Sequence, residues 1–178
     1  MWYDNENKIE GDLNMKIRLA TPEDIPALQE LFEIARKFQI ASGNPTQWAE
    51  GYPSKELMLE DINKEAAYVG VNDEQEIVGA LSVFTEPDPT YFEIEGEWLN
   101  DDHYTTIHRI ATNGKEKGVG QYLINWVQEN YNNVRIDTHI ANEPMKHVVK
   151  KLGFEYTGVI YVENGDARNA YQFVREEE

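Results

Sequence analysis

The segment that most constrains the fold is 105–122, because a β-rich run, a loop with two glycines and the start of an apolar helical pattern follow one another in it. Its first half predicts a strand, and Gly118 and Gly120 stand where the helix begins. The first N–H groups of a helix lack partners within the helix and carry partial positive charge, and glycine lets an anion approach them. We therefore predict that this unit binds the pyrophosphate of a nucleotide-type cofactor, with Lys115 and Lys117 adding positive charge.

The patterns on either side of this unit predict an alternation of helices and strands. Helix-start residues and apolar spacing predict helices from Thr21 to about Ala41, after a cap at Ser54, over 120–131 and over 143–152. β-rich runs predict seven strands, at 16–20, 67–71, 76–84, 105–112, 134–140, 154–162 and 167–174. This order predicts a mixed sheet with helices on both faces, in which the strands at 105–112 and 134–140 are parallel neighbours.

Length and composition fit one domain. The chain has 178 residues, of which 40% are hydrophobic, so it can bury a core of its own. We assign this domain to residues 15–178 and interpret the polar, aperiodic residues 1–14 as a flexible N-terminal extension. The absence of cysteine excludes disulfides and a cysteine nucleophile. The four histidines show no metal-binding spacing, so we predict no metal site.

The net charge of −17 limits the classes of partner. It argues against nucleic acid and against anionic membrane surfaces, and it favours a cationic partner such as an amine. Acidity that serves only solubility explains the same charge. No run approaches the roughly 20 apolar residues that span a bilayer, and no secretory leader is present, so we expect a cytoplasmic protein.

Two motifs stand at a compatible spacing after the predicted central strand. Residues 115–120 have the form Arg/Gln-x-x-Gly-x-Gly/Ala, except that Lys115 takes the first position and keeps its charge. Residues 142–154 follow the pattern Asn-x-x-Ala, then Tyr, then Gly-Phe, except that Met145 replaces the alanine and Val149 replaces the tyrosine. One Gly-x-Gly is a weak signal, but two motifs inside this order of elements are specific.

On these motifs, residues 15–174 resemble the GNAT superfamily of GCN5-related N-acetyltransferases. His-Arg-Ile-Ala at 108–111 and Arg-Ile-Asp-Thr-His at 135–139 are similar to a bacterial subgroup of that family. The resemblance implies an α/β (α+β) fold, with a mostly antiparallel central sheet of about seven strands flanked by about four helices.

The resemblance also implies a cofactor site for acetyl-CoA as co-substrate. Backbone groups of Ile110, Ala111 and Thr112 would pair with the pantetheine arm like an added strand. Asn142 would reach the pantetheine or the sulfur end of the cofactor. The pyrophosphate would be held by the glycine turn and its flanks, namely Lys115, Lys117, Gly118, Val119, Gly120, Gln121 and Tyr122, including the N–H groups of 117–122. The loop supplies the donors itself, so no metal is implied.

The implied activity is transfer of an acetyl group from acetyl-CoA to a primary amine of a small molecule or peptide by direct attack. The family's tyrosine at position 149 often protonates the leaving thiolate, and Val149 cannot. The acid is then another residue such as Tyr122, Tyr156 or Tyr171, a water, or unnecessary. The alternative function is an acyl-CoA-binding GNAT-like module without catalytic activity. The acceptor amine stays open, as does a homodimer.

Three residues are candidates for proton transfer, namely Asp137, His139 and His108. Strand alternation places Arg135, Asp137 and His139 on one face, where an acid–base cluster can shift pKa values. The structural alternative is an ion pair of Asp137 with Arg135 or His139. Alternation also places His108 on the face opposite Arg109, and the alternative for His108 is a hydrogen-bonded core group.

Overall fold

A nine-stranded sheet forms the centre of the protein in the computed structural model, which describes residues 2–3 and 13–177. The strands are β1 (Trp2–Tyr3), β2 (Met15–Leu19), β3 (Ala67–Asn72), β4 (Ile77–Phe84), β5 (Glu95–Gly96), β6 (Thr105–Thr112), β7 (Asn133–Thr138), β8 (Glu155–Tyr161) and β9 (Ala167–Val174). The helices are α1 (Ile25–Ala41), α2 (Lys55–Asn63), α3 (Val119–Asn130) and α4 (Glu143–Lys151).

The strand order is β1-β2-β3-β4-β6-β7-β9-β8-β5. Of these pairs only β6 and β7 are parallel, as the connection through α3 requires. The seven longer strands confirm the predicted mostly antiparallel sheet, and the four helices confirm the predicted number. The two additional strands, β1 and β5, are two residues long.

Only part of the predicted N-terminal extension lies within the described residues. Trp2–Tyr3 pairs antiparallel with β2. Residues 4–12 lie outside the described residues, so a flexible extension over 1–14 stays a prediction. None of the helices within the described part of the chain is long and apolar enough to cross a membrane.

Helices cover both faces of the sheet. On one face α3 and α4 pack on a core that includes Ile107, Leu123 and Ile136. On the other face α1 and α2 pack over β3 and β4, and residues such as Phe32 and Met58 fill that interface. In α2 the apolar side chains at 57, 59 and 62 are only half-buried, because the helix turns the side chain of residue 58 to the sheet.

A β-bulge lies in the middle of β6. Ala111 pairs with Ala80 and His108 with Ser82, so two residues, Arg109 and Ile110, lie opposite one. Arg109 takes a left-handed backbone conformation with φ of +51°. The expected alternation is wrong here. The extra residue lets Arg109 reach α2 on the face that His108 also uses, while Ile110 packs on the α3–α4 core.

The same region contains the point where two strands separate. The β6–β7 ladder runs from Thr105–Val134 to Ile107–Ile136 and stops, although both strands continue. Beyond that point a cleft opens between them. The segment 85–104 includes a 3₁₀ turn at Pro89–Tyr91 and covers the sheet beside this cleft with a third apolar cluster around Tyr91 and Tyr104.

Candidate active site

The cleft between the diverging strands has a volume of about 460 Å³. Its walls come from six separate parts of the chain: the end of α1 with the α1–α2 loop, the 3₁₀ turn region, β6, β7 with the start of α4, the β8–β9 turn, and β9. Polar and charged side chains line it together with Trp48 and Tyr52, which stack on each other at 5.9 Å between ring centroids. Such a concave, mixed surface suits a small polar ligand.

Two of the three predicted catalytic residues meet in this cleft. The Nε2 atom of His108 lies 2.5 Å from Oδ2 of Asp88, and its Nδ1 atom lies 4.0 Å from Oδ2 of Asp137. The hydroxyl of Tyr91 donates to the same oxygen of Asp137 at 2.6 Å. His108 therefore stands between two carboxylates.

The electrostatics of the cluster set the charge states of Asp88 and Tyr91. Burial raises the pKa of Asp88, but hydrogen bonds from His108 and Thr90 outweigh this and lower the pKa to about 2. Asp88 is therefore a carboxylate at neutral pH, and His108 presents its Nε2–H to it. Burial and the charge of Asp137 raise the pKa of Tyr91 well above its ordinary value, so Tyr91 stays a phenol that donates.

This tautomer leaves Nδ1 of a neutral His108 as a proton acceptor. Such an arrangement can act as a base, with one carboxylate that would orient the imidazole and a second that would stabilise the imidazolium after proton uptake. His108 is hydrogen-bonded, as the core alternative expects, but its ring lines the cleft.

The third predicted catalytic residue, His139, is not among the residues that line the cleft. Its Nδ1 atom accepts from the N–H of Ala141 at 3.0 Å, and its Nε2 atom lies 3.4 Å from Oγ1 of Thr46. Burial and the nearby charge of Arg168 lower the pKa of His139, which favours the neutral ring. The structure thus separates His139 from the His108–Asp137 pair.

Neither predicted ion pair of Asp137 forms among residues 13–177. Instead of meeting Asp137, the guanidinium of Arg135 lies between two aromatic rings, 4.1 Å from Trp98 and 3.9 Å from Tyr104. Its remaining contact is a hydrogen bond to the carbonyl of Asn100 at 2.9 Å. Arg135 therefore fixes the segment 85–104 on the sheet and leaves Asp137 to the cleft.

Sequence reasoning missed Asp88 and Arg168. Asp88 lies in a polar segment without periodicity, and it meets β6 only because that segment folds back over the sheet. One local signal was available, since Asp88-Pro89-Thr90 is a cap-and-turn sequence, and the Asp88 side chain does accept from the N–H of Thr90 at 2.8 Å. That signal predicts a turn and does not predict the histidine.

The bulge beside the cluster is held by a buried ion pair. Arg109 donates to both carboxylate oxygens of Asp61, at 2.7 and 2.8 Å, and Ser82 donates to Asp61 at 2.7 Å. Burial lowers the pKa of Arg109, but the bonds to Asp61 outweigh it and the pKa is raised. Because Nε and Nη2 of Arg109 both bind Asp61, while Nη1 lies 3.5 Å from the hydroxyl of Tyr52, Arg109 acts as a link between α2 and the bulge.

The predicted anion site lies at the start of α3. Gly118 caps the helix in the left-handed conformation, with φ of +83°, and Val119 is the first helical residue. The N–H of Tyr122 donates to the carbonyl of Gly118 at 2.9 Å, so Tyr122 is not one of the free donors that the sequence suggested. Its hydroxyl donates to the carbonyl of Met15 at 3.0 Å.

The side chains around this turn are exposed. Lys115 and Lys117 lie on the surface, and Nζ of Lys115 is 3.4 Å from Oε1 of Glu76. A Cβ atom added to Gly120 would meet its nearest neighbour, in Thr112, at 3.8 Å, whereas one on Gly118 would approach Leu13 at 3.2 Å. The site is therefore built mainly of backbone groups at a helix N-terminus.

The α4 region contains Asn142, the other predicted cofactor residue, and Val149, the main departure of the sequence from the family pattern. The side chain of Asn142 caps α4 by accepting from the N–H of Met145 at 3.2 Å, and it donates to Gln47 at 2.9 Å. Val149 is fully buried in the α3–α4 core. The tyrosines suggested as replacement acids, Tyr122, Tyr156 and Tyr171, are not among the cleft-lining residues.

The predicted pantetheine residues lie on the part of β6 beyond the separation from β7. Ile110 lines the cleft, and Ala111 and Thr112 pair with β4 on the opposite edge. The edge that faced β7 up to Ile107 has no further ladder with that strand. An extended ligand inserted there would find backbone groups to pair with.

A family model and a solved structure both relate the chain to the same family. The sequence model of the acetyltransferase (GNAT) family matches residues 28–154. A GNAT-family acetyltransferase from Streptococcus agalactiae 2603 is 34% identical, with a TM-score of 0.83 over 92% of this chain and 96% of that chain. No curated protein matches the chain.

More distant structures share the fold alone. A GNAT-family acetyltransferase from Listeria monocytogenes 4b F2365 is 21% identical, with a TM-score of 0.70 over 94% of this chain and 99% of that chain. A chain of the NatC complex bound to Gag peptide and CoA is 12% identical, with a TM-score of 0.62 over 92% of this chain and 99% of that chain.

Proposed function

The chain belongs to the acetyltransferase (GNAT) family, and from this premise we propose that it transfers an acetyl group from acetyl-CoA to a primary amine. The acceptor is a small molecule or a peptide, and the amine attacks directly, without a covalent enzyme intermediate. The observation that carries the proposal is the position of His108 between Asp88 and Asp137, beside the point where β6 and β7 separate.

The donor would bind along β6 and the start of α3. The free N–H groups between 117 and 121 would hold the pyrophosphate, and the open edge of β6 at 110–112 would pair with the pantetheine arm. The NatC structure, which is bound to CoA, has the same fold. The thioester would then lie at the mouth of the cleft, near the end of the β6–β7 ladder.

The reaction requires one proton to leave the acceptor before or during attack. Nδ1 of His108 would take a proton from the ammonium, and Asp137 would stabilise the imidazolium that results. The amine nitrogen then forms a bond to the thioester carbonyl carbon, and the C–S bond breaks. The second amine proton neutralises the CoA thiolate, directly or through water, which gives the amide and free CoA.

This route needs no tyrosine at position 149. Val149 completes the apolar core instead of lining the cleft, and the thiolate is a good leaving group at neutral pH. Val149 therefore does not by itself favour a module that only binds acyl-CoA.

The test is release of free thiol from acetyl-CoA across a panel of amines, with detection of the N-acetyl product by mass spectrometry. Turnover with an amine, and no release without one, supports the proposal. If acetyl-CoA binds tightly in calorimetry but no amine is acetylated, the transferase assignment fails and the alternative, an acyl-CoA-binding module without catalysis, takes its place.

A further inference from the structure

One cationic side chain in the cleft has no anionic partner among the described residues. Arg168 lies on β9, is 6% exposed and lines the cleft. Its guanidinium donates to two backbone carbonyls, those of Ala167 at 3.2 Å and Gln47 at 3.3 Å. Within residues 13–177 it forms no ion pair with a carboxylate. A buried charge without a counter-charge is costly unless a ligand supplies one.

The other arginine in the cleft wall differs from Arg168. Arg109 donates through Nε and Nη2 to both carboxylate oxygens of Asp61. Arg168 uses two of its five N–H donors on neutral carbonyls at the long end of the hydrogen-bond range, so it retains donors for a planar anion. Arg135 is also buried without a carboxylate, but two aromatic rings flank its guanidinium, at 4.1 and 3.9 Å.

Arg168 lies on the same face of the sheet as the acid–base cluster. Ala170 pairs directly with Asp137, and Arg168 lies two residues before Ala170 on β9, so the side chains of Arg168 and Asp137 project to one side. Such diagonal neighbours on adjacent strands lie roughly 7–8 Å apart. A short molecule with opposite charges a few bonds apart would therefore reach both groups.

Two further polar atoms of the cleft also have no partner among the described residues. Oε1 of Gln39 and Oγ1 of Thr138 are buried, and both residues line the cleft. Buried oxygens of this kind are normally satisfied, so they indicate a ligand with N–H or O–H groups. Glu163 also lines the cleft, but its side chain is exposed, whereas that of Arg168 is buried.

We propose that the acceptor is a free amino acid, whose carboxylate binds Arg168 while its ammonium faces His108 and Asp137. This inference rests on the proposed acetyltransferase function and names the substrate class of that site. A guanidinium binds a carboxylate through two parallel hydrogen bonds, which gives both affinity and orientation. The N-terminus of a peptide has an amide in place of this carboxylate and would leave Arg168 without a counter-charge.

The experiment compares matched acceptors with the wild-type protein and two variants. The acceptors are the free L-amino acids, their primary amides and the corresponding decarboxylated amines, all with acetyl-CoA. The variants are Arg168→Gln and, as a matched control, Arg36→Gln, a half-buried arginine of α1 that pairs with Glu33 outside the cleft. Calorimetric binding of the amino acids in the presence of CoA gives a second readout that does not require turnover.

The expected result is that at least one free amino acid is preferred over its amide and its decarboxylated amine by about 10- to 100-fold in kcat/KM. In Arg168→Gln this preference disappears through the KM for the amino acid, while the KM for acetyl-CoA and the activity on the amide stay within about twofold. Arg36→Gln leaves both unchanged.

Four results would overturn the inference. Equal turnover of acids and amides by the wild-type protein excludes a carboxylate site without the use of any variant. An equal loss on both in a folded Arg168→Gln protein assigns Arg168 a structural role. Acetylation of amines but of no amino acid leaves the transferase standing and removes this substrate class. Absence of turnover with every amine, together with absence of amino-acid binding, removes both proposals.

Discussion

The donor side and the acceptor side of the site are built in opposite ways. The proposed donor side is one continuous segment, β6 followed by the turn and α3, and its candidate binding groups are backbone N–H and C=O groups. The acceptor side brings together side chains from residues as far apart as Gln39 and Arg168. A local backbone site is readable from a motif, whereas an assembled side-chain site can differ between proteins that share the fold.

The comparison predicts that changes on the acceptor side affect kcat or the KM for the acceptor, while changes on the donor side affect acetyl-CoA binding. The largest effect is expected for His108→Ala. Loss of the base should lower kcat by about 10²- to 10⁴-fold, with acetyl-CoA affinity unchanged. Steady-state kinetics and calorimetry measure the two quantities separately.

The matched control for this variant is His139→Ala, since His139 lies just beyond the end of β7 and does not line the cleft. It should retain kcat within about threefold, because no proton transfer depends on it. Equal losses in the two variants would contradict the assignment of the base to His108.

The second effect concerns the donor side. Gly118 has φ of +83°, which a β-branched residue adopts only with strain, so Gly118→Val should displace the first N–H groups of α3. We expect acetyl-CoA affinity to fall by about 100-fold, since the anion site consists of those groups. Calorimetry measures the affinity, and circular dichroism checks that the sheet and helices persist.

Gly120→Ala is the control for the turn. An added Cβ there meets its nearest atom at 3.8 Å, which is ordinary contact, so acetyl-CoA affinity should change by less than about threefold. If the two variants lose affinity alike, the site depends on open space at both positions and not on the left-handed conformation of residue 118.

A third effect tests the electrostatics of the acceptor side through stability. The pKa of Asp88 is lowered from 3.8 to about 2 in the folded protein, so its carboxylate form stabilises the fold. That stabilisation is complete above the ordinary pKa of the carboxyl and is lost as the pH falls through about 2. After allowance for solvent screening, Asp88→Asn should lower the free energy of unfolding by about 1 kcal/mol at pH 7.

Urea unfolding of the wild-type protein and Asp88→Asn between pH 7 and pH 2 measures this effect. The difference between the two should be constant from pH 7 to about pH 5 and should close between pH 4 and pH 2. A difference that stays the same down to pH 2 would show that the variant acts through packing and not through the charge of Asp88.

The same contrast explains what the sequence could predict. The helices, the seven longer strands and the parallel crossover follow from local periodicity and caps, so they were accessible. The bulge at Arg109 and the fold-back of Asp88 onto His108 depend on partners 48 and 20 residues away in the chain, Asp61 and His108 respectively. No local sequence pattern encodes such long-range contacts. For this reason the sequence predicted the candidate base, His108, but did not predict Asp88, its hydrogen-bond partner.

The smallest effect should come from Lys115, although it opens the motif that identifies the donor site. Its side chain is 62% exposed and its ammonium already lies 3.4 Å from Glu76, so water and that carboxylate screen its charge. We expect Lys115→Ala to weaken acetyl-CoA binding by only about two- to threefold, and the difference should vanish at high ionic strength. Lys37→Ala, an exposed lysine of α1 that lies 3.9 Å from Glu33, serves as the control for net charge. A loss for Lys115→Ala as large as that for Gly118→Val would break the comparison, since the donor site would then depend on a side chain and not on the backbone of the turn.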